Sequence, residues 1–546
     1  MCNSQYRRTA FAASMLFGMF VFAAVFALPC AAAAPDIQND SNARAGNPPS
    51  NDPSNDPSND PSAAHPPPKL PRPSQRKKSA ASHKRKPTLL RRQGREFLPL
   101  DGLWEFLTEP IDSITDTGVK KTGGIDTKFL AGRTIESERQ KQWAVKRPAV
   151  TNKIDVPAYW DSLAAPGYDG AIWYWREFDM PATWTGQTVR LRFEGVGETA
   201  QVWLNGQPLG NHTGGATPFE FDVTRALHFT PRRIRPNGIV EDSLRSSSNL
   251  LAVRVEGKAK RGAGIWQSVV LMAHDEGYIT DCFPQPDGFG NVSANITILN
   301  TSKVEGDATL DARIAASDNP EKDVRLTNQN LHITPGPNQT LLLDSVPRKL
   351  VHHWTPDNPF LYLLQIALRQ DKDVLDTLET EFGFRQFGLV ENAVTIDTVP
   401  VKLTVGRLPK GLPPIITTSG DAEKAHQMFM QMKAQGITVV ALEAPPSALL
   451  RIADAAGMLV IVGPRPHQSD SAAEAEMRDL IVRDRAHPSI LAWNIGSVDT
   501  LAARAIRKLD PTRFLLVGSN KAVRLWLPGE NQPYTGAVPP GLIASL

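Results

Sequence analysis

The residues best suited to chemistry lie together near the end of the chain. Asp484 and His487 are three positions apart, and a carboxylate and an imidazole so close in sequence could act as a general acid and base. Asp499 follows in the same stretch, and Glu530 is the only glutamate after position 498. No metal-ligand spacing, glycine-rich phosphate loop or Ser-His-Asp order accompanies them, so we expect no metal or other cofactor.

Two local elements must position these residues. The segment 481–499 reads IVRDRAHPSILAWNIGSVD. Its pattern predicts the end of a helix, a polar turn at His487-Pro488-Ser489 and a buried parallel strand over residues 490–495. Asp484 and His487 would then lie before the strand, where ending a helix and forming a turn is a simpler role than an acid/base dyad.

The residue identities in this segment are more specific than its hydrophobic pattern. It resembles R-D-x-N-H-P-S-I-x-x-W-x-x-G-N-E of glycoside hydrolase family 2, which includes β-galactosidases, β-glucuronidases and β-mannosidases. The matching residues are Arg483, Asp484, His487, Pro488, Ser489, Ile490, Trp493 and Gly496. The final glutamate is the catalytic acid/base in that family, but Ser497-Val498 replaces the Asn-Glu pair here. The resemblance therefore implies a signature whose proton donor has been replaced by Val498.

Strands and helices alternate from residue 385 onward. This order predicts a (β/α)₈-type barrel, whose chemistry lies at the carboxyl ends of the strands. The predicted strands are 401–405, 437–442, 458–462, 490–495 and 514–517, and the predicted helices are 422–435, 447–456, 472–485 and 501–509. Because a complete barrel takes about 250 residues and this region is shorter, we predict a partial barrel over residues 385–546.

The other active-site positions implied by the resemblance have lost their polar residues. The asparagine and arginine expected around the second strand fall on Thr438 and Ala441. The expected histidine falls on Ala444, and the glutamate expected after the third strand falls near Gly463-Pro464. The packing residues of the pattern are kept while its polar residues are not.

Two carboxylates remain as substitutes. Retaining glycoside hydrolysis needs two carboxyl groups about 5 to 5.5 Å apart, one to shuttle a proton and one to attack the sugar. Val498 cannot donate a proton, and we recognise no strand that carries the nucleophile. Asp499 could replace the acid only if the strand end shifted by one residue, which would redirect its side chain. Glu530 lies in a tail rich in proline and glycine, so an ordinary surface role is simpler for both residues.

The middle of the chain is predicted to form two β-sandwiches. Short alternating segments over residues 97–275 include the phrases DGLWEF, VPAYW, WYWREF and GAGIWQSV, which resemble the jelly-roll domain of the same family. Asn205-Gly206 predicts a hairpin turn, because both residues tolerate positive φ. Residues 276–384 resemble the immunoglobulin-like domain of the family.

Eight of the eleven tryptophans lie before Glu276. One interpretation is that they stack on carbohydrate. The alternation of the strands points most of them inward, so we expect them to fill the sandwich core.

The first ninety-six residues belong to neither domain type. Arg7 and Arg8, an apolar run and Ala31-x-Ala33 predict a signal peptide over residues 1–34, with an uncleaved membrane anchor as the alternative. Residues 35–96 predict a disordered tether, which contains eleven basic residues and no acidic residue between Lys69 and Arg95. The tether could adhere to an anionic surface, although a solvated spacer is simpler.

The whole sequence predicts a multidomain β plus α/β protein that is secreted, periplasmic or in the cell envelope. One hypothesis is a non-catalytic protein that recognises carbohydrate, such as an envelope polysaccharide, or acts as a scaffold. The other is an active β-glycosidase that uses carboxylates outside the family pattern. We expect a homo-oligomer to be possible, and no specific nucleic acid partner.

Overall fold

The structure is a computed structural model that describes residues 94–109, 141–160, 167–229, 232–234, 240–242, 248–258, 262–317, 319–325, 328–408, 416, 418–465, 470–519 and 522–543. All of these residues belong to one compact unit. The predicted signal peptide, and the predicted tether up to residue 93, lie outside the described residues.

The first part of the described chain is a β-sandwich. Its strands are β1 (Glu96–Pro99), β2 (Gly102–Thr108), β3 (Asn152–Val156), β4 (Asp169–Phe178), β5 (Thr188–Phe193), β6 (Thr199–Leu204), β7 (Gln207–Thr213), β8 (Phe219–Asp222), β9 (Arg232–Ile234), β10 (Val240–Asp242), β11 (Asn249–Lys258) and β12 (Val269–His274). A four-stranded sheet, β1-β12-β5-β8, faces a six-stranded sheet, β3-β2-β4-β11-β6-β7, while β9 and β10 form a separate hairpin. Strands β5 and β6 alternate half-buried and buried residues, so each turns one face to the shared core.

The tryptophans of this sandwich are mostly buried, but they belong to three separate clusters. Among the largest fully buried side chains are Trp104, Trp160, Trp173, Trp175, Trp184 and Trp266. Trp143 and Trp203 are only half-buried. Only Trp104, Trp160 and Trp184 lie in the core between the two sheets. Trp173 and Trp175 pack with Trp143 and Trp203 in a separate cluster, and Trp266 packs in the core of the parallel sheet. The prediction that most tryptophans fill the sandwich core is therefore wrong, because β4 buries both of its faces and alternation alone does not show which face meets the core. The predicted hairpin does form, with Asn205 at φ +52° and Gly206 at φ +79° between β6 and β7.

A second sandwich follows. Its strands are β13 (Gly277–Pro286), β14 (Asn291–Asn300), β15 (Gly306–Ala316), β16 (Asn319–Arg325), β17 (Gln329–Ile333), β18 (Gly336–Ser345), β19 (Tyr362–Gln370) and β20 (Asp373–Phe382). The sheet β13-β14-β18 packs on the sheet β16-β15-β19-β20, in which β17 also pairs with β15. Cys282 lies buried in this core, and burial raises the pKa of its thiol to about 12.

The last region is a mostly parallel sheet with helices. Its strands are β21 (Phe387–Val390), β22 (Ala393–Ile396), β23 (Val399–Pro400), β24 (Val405–Gly406), β25 (Val439–Glu443), β26 (Leu459–Gly463), β27 (Ile490–Asn494), β28 (Phe514–Ser519) and β29 (Ala522–Trp526). Its helices are α1 (Ser419–Ala434), α2 (Ser447–Ala456), α3 (Asp470–Asp484), α4 (Thr500–Leu509) and α5 (Pro540–Ile543). Strands β24 to β28 are parallel neighbours in chain order, whereas β29 returns antiparallel to β28.

This region follows the predicted alternation, but several of its elements differ from the prediction. Strands β21 to β23 and the short helix α5 were not predicted. The predicted strand 401–405 is reduced to Val405–Gly406, because Val401 bonds to Val394 of the preceding hairpin instead of the parallel sheet. The antiparallel strand β29 was not predicted. It follows β28 directly, where a barrel would place a helix, and it covers the edge of β28.

Both faces of the parallel sheet are covered within the described chain. Helices α1 to α4 pack on one face together with Trp266 and Ala216 of the first sandwich. The other face contacts Trp354 of the second sandwich, the β21–β22 hairpin and the segment after β29, whose Leu542 is fully buried. The face that would line the inside of a barrel is therefore occupied by the chain's own side chains. The predicted fold class, multidomain β plus α/β, is confirmed.

No helix among the described residues has the length and apolar character needed to span a membrane.

Candidate functional site

The carboxyl ends of the parallel strands form the candidate site. Strands β25, β26 and β27 end at Glu443, Gly463 and Asn494, and these ends meet at one edge because the strands are parallel. Enzymes built on parallel α/β sheets place their chemistry at this edge.

Val498 lies just beyond the end of β27. The chain bends at Gly496, where φ is +64°, and the backbone N–H of Val498 donates to Gly496 O at 3.1 Å. The Val498 side chain is half-buried and packs against the core beneath the helices. The residue at the position where the resemblance predicts the acid/base thus packs against apolar side chains.

Asp499 is committed to the helix that follows. It is the N-cap of α4, and its Oδ1 accepts a hydrogen bond from Ala502 N at 2.7 Å. This bond satisfies one of the unpaired N–H groups at the start of the helix. The geometry therefore gives Asp499 a structural role at the surface.

We predict that Asp499→Ala lowers the free energy of unfolding by about 0.5 to 2 kcal/mol, because a helix cap is lost. Asp499→Asn should keep most of the stability, since asparagine caps helices equally well. Equilibrium denaturant unfolding measures both variants. An equal loss in the asparagine variant would contradict the capping role.

Glu530 lies away from the strand ends. It is exposed and follows a turn after β29, where its backbone N–H donates to Leu527 O at 3.1 Å. No contact in the described residues brings it to Val498 or Asp499. The structure thus does not join the two substitute carboxylates into a pair.

Asp484 and His487 belong to a buried network at the opposite, amino end of β27. Asp484 is fully buried, pairs with Arg483 at 2.6 Å and accepts from Ser447 Oγ at 3.0 Å. His487 Nδ1 contacts Asp454, whose other oxygen accepts from Ser489 N at 2.9 Å. These contacts fix the turn between α3 and β27, as the structural interpretation predicts.

The other positions at which the resemblance predicts active-site residues lie in or beside β25 and at the end of β26. Thr438 lies just before β25 and donates to Lys402 O at 2.9 Å. Ala441 is exposed, and Ala444 is buried with φ +40° just after β25. Gly463 has no side chain. None of these four positions offers a carboxylate at the carboxyl edge.

Glu443 is the carboxylate at this edge that sequence reasoning missed. It ends β25 directly beside Gly463 and is exposed. A glutamate that immediately follows an apolar parallel strand was the available signal.

A loop of the first sandwich docks beside the strand ends. Trp266 Nε1 donates to Gly215 O at 2.7 Å, its ring stacks on Tyr159 at 5.5 Å, and the Arg465 guanidinium lies 4.8 Å above it. Arg483 extends the contact by donating to Ala216 O at 2.7 Å. Burial lowers the pKa of Arg465 and raises the pKa of Tyr159. This aromatic and cationic contact fixes the parallel sheet on the first sandwich.

Among the described residues, no metal-binding cluster marks the carboxyl edge. Within the described ranges, no cluster of three or more histidine, cysteine or acidic residues could hold a metal ion. One cavity of about 560 Å³ is lined by residues 141–143 and 145–148 of the first sandwich. Another of about 20 Å³ lies between the second sandwich and the parallel sheet. Neither cavity is lined by a residue from the strand carboxyl ends.

Comparison with protein families gives two matches. Residues 97–274 match the family described as "Glycosyl hydrolases family 2, sugar binding domain", and residues 277–385 match "Glycosyl hydrolases family 2". The two matched stretches correspond to the two sandwiches of the structure.

Curated relatives and solved structures agree with these matches. The chain is 24% identical to a β-galactosidase of Thermoanaerobacter pseudethanolicus, over 61% of this chain and 45% of the relative. It is also 24% identical to a β-glucuronidase of Formosa agariphila, over 73% of this chain and 44% of that protein. The fold resembles β-glucuronidase 2 of Bacteroides uniformis, with a TM-score of 0.58, 20% identity, and coverage of 77% of this chain and 52% of that one.

The chain spans about half the length of these proteins. The family matches cover both sandwiches, and the relatives extend the similarity beyond them. The chain belongs to glycoside hydrolase family 2.

Proposed function

We propose that this protein binds β-linked carbohydrate without hydrolysing it. The observation that carries the proposal is the end of β27, where Val498 replaces the acid/base and packs into the core while the next carboxylate, Asp499, caps α4. A general acid contributes a factor of about 10² to 10⁴ to rate, so its loss alone leaves slow turnover on substrates with good leaving groups.

Missing polar groups elsewhere at the site would lower the rate of hydrolysis further. The positions of Ala441 and Ala444 lack the polar groups that the family pattern uses to hold the sugar near its transition state. This feature supports recognition or scaffolding in place of catalysis.

An active β-glycosidase is the second candidate, and Glu443 favours it. Its exposed carboxylate ends a parallel strand at the edge where hydrolases of this architecture do their chemistry. Turnover would then depend on Glu443 together with a second carboxylate outside the family pattern.

We also propose that the protein is exported and acts in the secreted, periplasmic or envelope space. The layout of residues 1–34 supports this proposal. The mature protein would begin near Ala34, which N-terminal sequencing tests. Recovery of Met1 on a membrane-bound protein would favour the anchor.

Val498→Glu provides the matched test of the proposed function. Because the polar contacts around the site are also missing, the restored carboxylate should give no turnover of aryl β-glycosides. Calorimetric titration with β-linked oligosaccharides should show binding by the wild-type protein. Turnover gained by Val498→Glu would show that the remaining site is competent, and absence of binding to all oligosaccharides would refute carbohydrate recognition.

A further inference from the structure

A small cavity lies where the second sandwich meets the parallel sheet. Its volume is about 20 Å³, and its walls include Gln285, Phe382, Arg385, Pro488 and Arg513. A single water needs about 10 to 15 Å³ by the same kind of measure, so the space suits one water or one slightly larger sphere.

Arg385 brings an uncompensated charge to this cavity. Arg385 is only 6% exposed. Its Nε donates to Pro488 O at 2.7 Å, and its guanidinium lies 4.1 Å from the centre of the Phe387 ring. Within the described part of the chain, no carboxylate lies within ion-pair distance of it, and its terminal nitrogens make no hydrogen bond. Arginine does not give up its proton in proteins, so the guanidinium keeps its positive charge at this cavity.

The surrounding carboxylates are already engaged with other groups. Asp510 is fully buried, pairs with Arg513 and accepts hydrogen bonds from Thr512 Oγ1 and Trp493 Nε1. Asp454 accepts from His487 and Ser489, and Asp397 accepts from His353 and Gln386. The nearest acidic groups therefore stabilise Arg385 only at longer range.

The second cation on the cavity wall adds to this excess. Arg513 is 3% exposed and pairs with Asp510, whose backbone oxygen accepts from the neighbouring buried Arg507. Burial, with the nearby charge of Arg513, lowers the pKa of Arg385 well below its ordinary value. A buried charge without a counter-charge is strongly destabilising, so a negative group inside the cavity would offset that cost.

We propose that this junction binds a small monovalent anion of the size of chloride, held by the Arg385 guanidinium. The anion completes the charge balance between the second sandwich and the parallel sheet, and it links β13, the start of β27 and the turn before β28. Because it binds only the folded protein, it stabilises the assembled domains.

Bromide, which resembles chloride in charge and size, locates the site directly. Crystals of the full-length protein soaked in sodium bromide should give an anomalous peak within hydrogen-bond distance of the Arg385 terminal nitrogens. A cavity that contains only an ordered water under these conditions would overturn the proposal.

Unfolding in solution gives the second test. At constant ionic strength, replacing gluconate with chloride should raise the thermal midpoint of the wild type saturably. Arg385→Met should abolish this dependence, whereas Arg190→Met, which removes a paired arginine of the first sandwich, should keep it. If chloride does not change the thermal midpoint of the wild type, the site is refuted. If Arg385→Met does not fold, the bromide result decides.

Discussion

Asp484→Ala is expected to lower the free energy of unfolding by about 3 to 5 kcal/mol, because it leaves Arg483 buried without its partner. Asp484 has no exposed surface, its pair with Arg483 spans 2.6 Å, and Ser447 Oγ adds a hydrogen bond of 3.0 Å. Arg483 also donates hydrogen bonds to Ala216 O and Pro445 O. Losing its partner would therefore also weaken the contact with the first sandwich.

Glu530→Ala is the matched control for this change. Its carboxylate is exposed, so we expect a shift within about 0.5 kcal/mol. Denaturant unfolding measures both variants. If Asp484→Ala were as stable as Glu530→Ala, the buried pair would not hold the α3–β27 turn, and the acid/base interpretation of Asp484 and His487 would regain support.

Trp266→Ala is expected to cost about 3 to 5 kcal/mol, as large-to-small changes of buried aromatic residues do. Trp266 is 1% exposed and packs in the core under the helices of the parallel sheet, although it belongs to the first sandwich. Its removal deletes the hydrogen bond to Gly215, the stack on Tyr159 and the contact with Arg465. Limited proteolysis should therefore cut the α/β region faster in this variant.

Trp203→Ala is the control for this second prediction. Trp203 is half-buried and stacks on Trp173 at 5.0 Å, away from the contact with the parallel sheet. We expect a smaller loss of stability and no change in cleavage of the α/β region. Equal proteolysis of the two variants would contradict the claim that the parallel sheet depends on its docking to the first sandwich.

Local sequence signals predicted the regular elements well. Helix α2 begins and ends as expected, since Pro446 precedes it and Gly457 ends it with φ +65°. The hairpin at Asn205-Gly206 follows from the same reasoning, because the residues that tolerate positive φ are few.

Packing between distant segments could not be predicted from the local sequence pattern. The return of β29 against β28 and the cover that Leu542 provides depend on contacts between distant segments, which periodicity does not encode. The cap at Asp499 was readable in principle, because an aspartate before an amphipathic helix is a common N-cap. Glu443 could be assigned to the carboxyl edge only once the structure showed that β25 ends there.

Hydrolysis of aryl β-glycosides by the purified full-length protein tests the central claim most directly. A panel of galactosides, glucuronides and mannosides with good leaving groups would detect even weak turnover. We predict no saturable release of the aryl group above the buffer background. Saturable hydrolysis that disappears in Glu443→Gln, Asp499→Asn or Glu530→Gln would contradict the account and identify the protein as an active glycosidase.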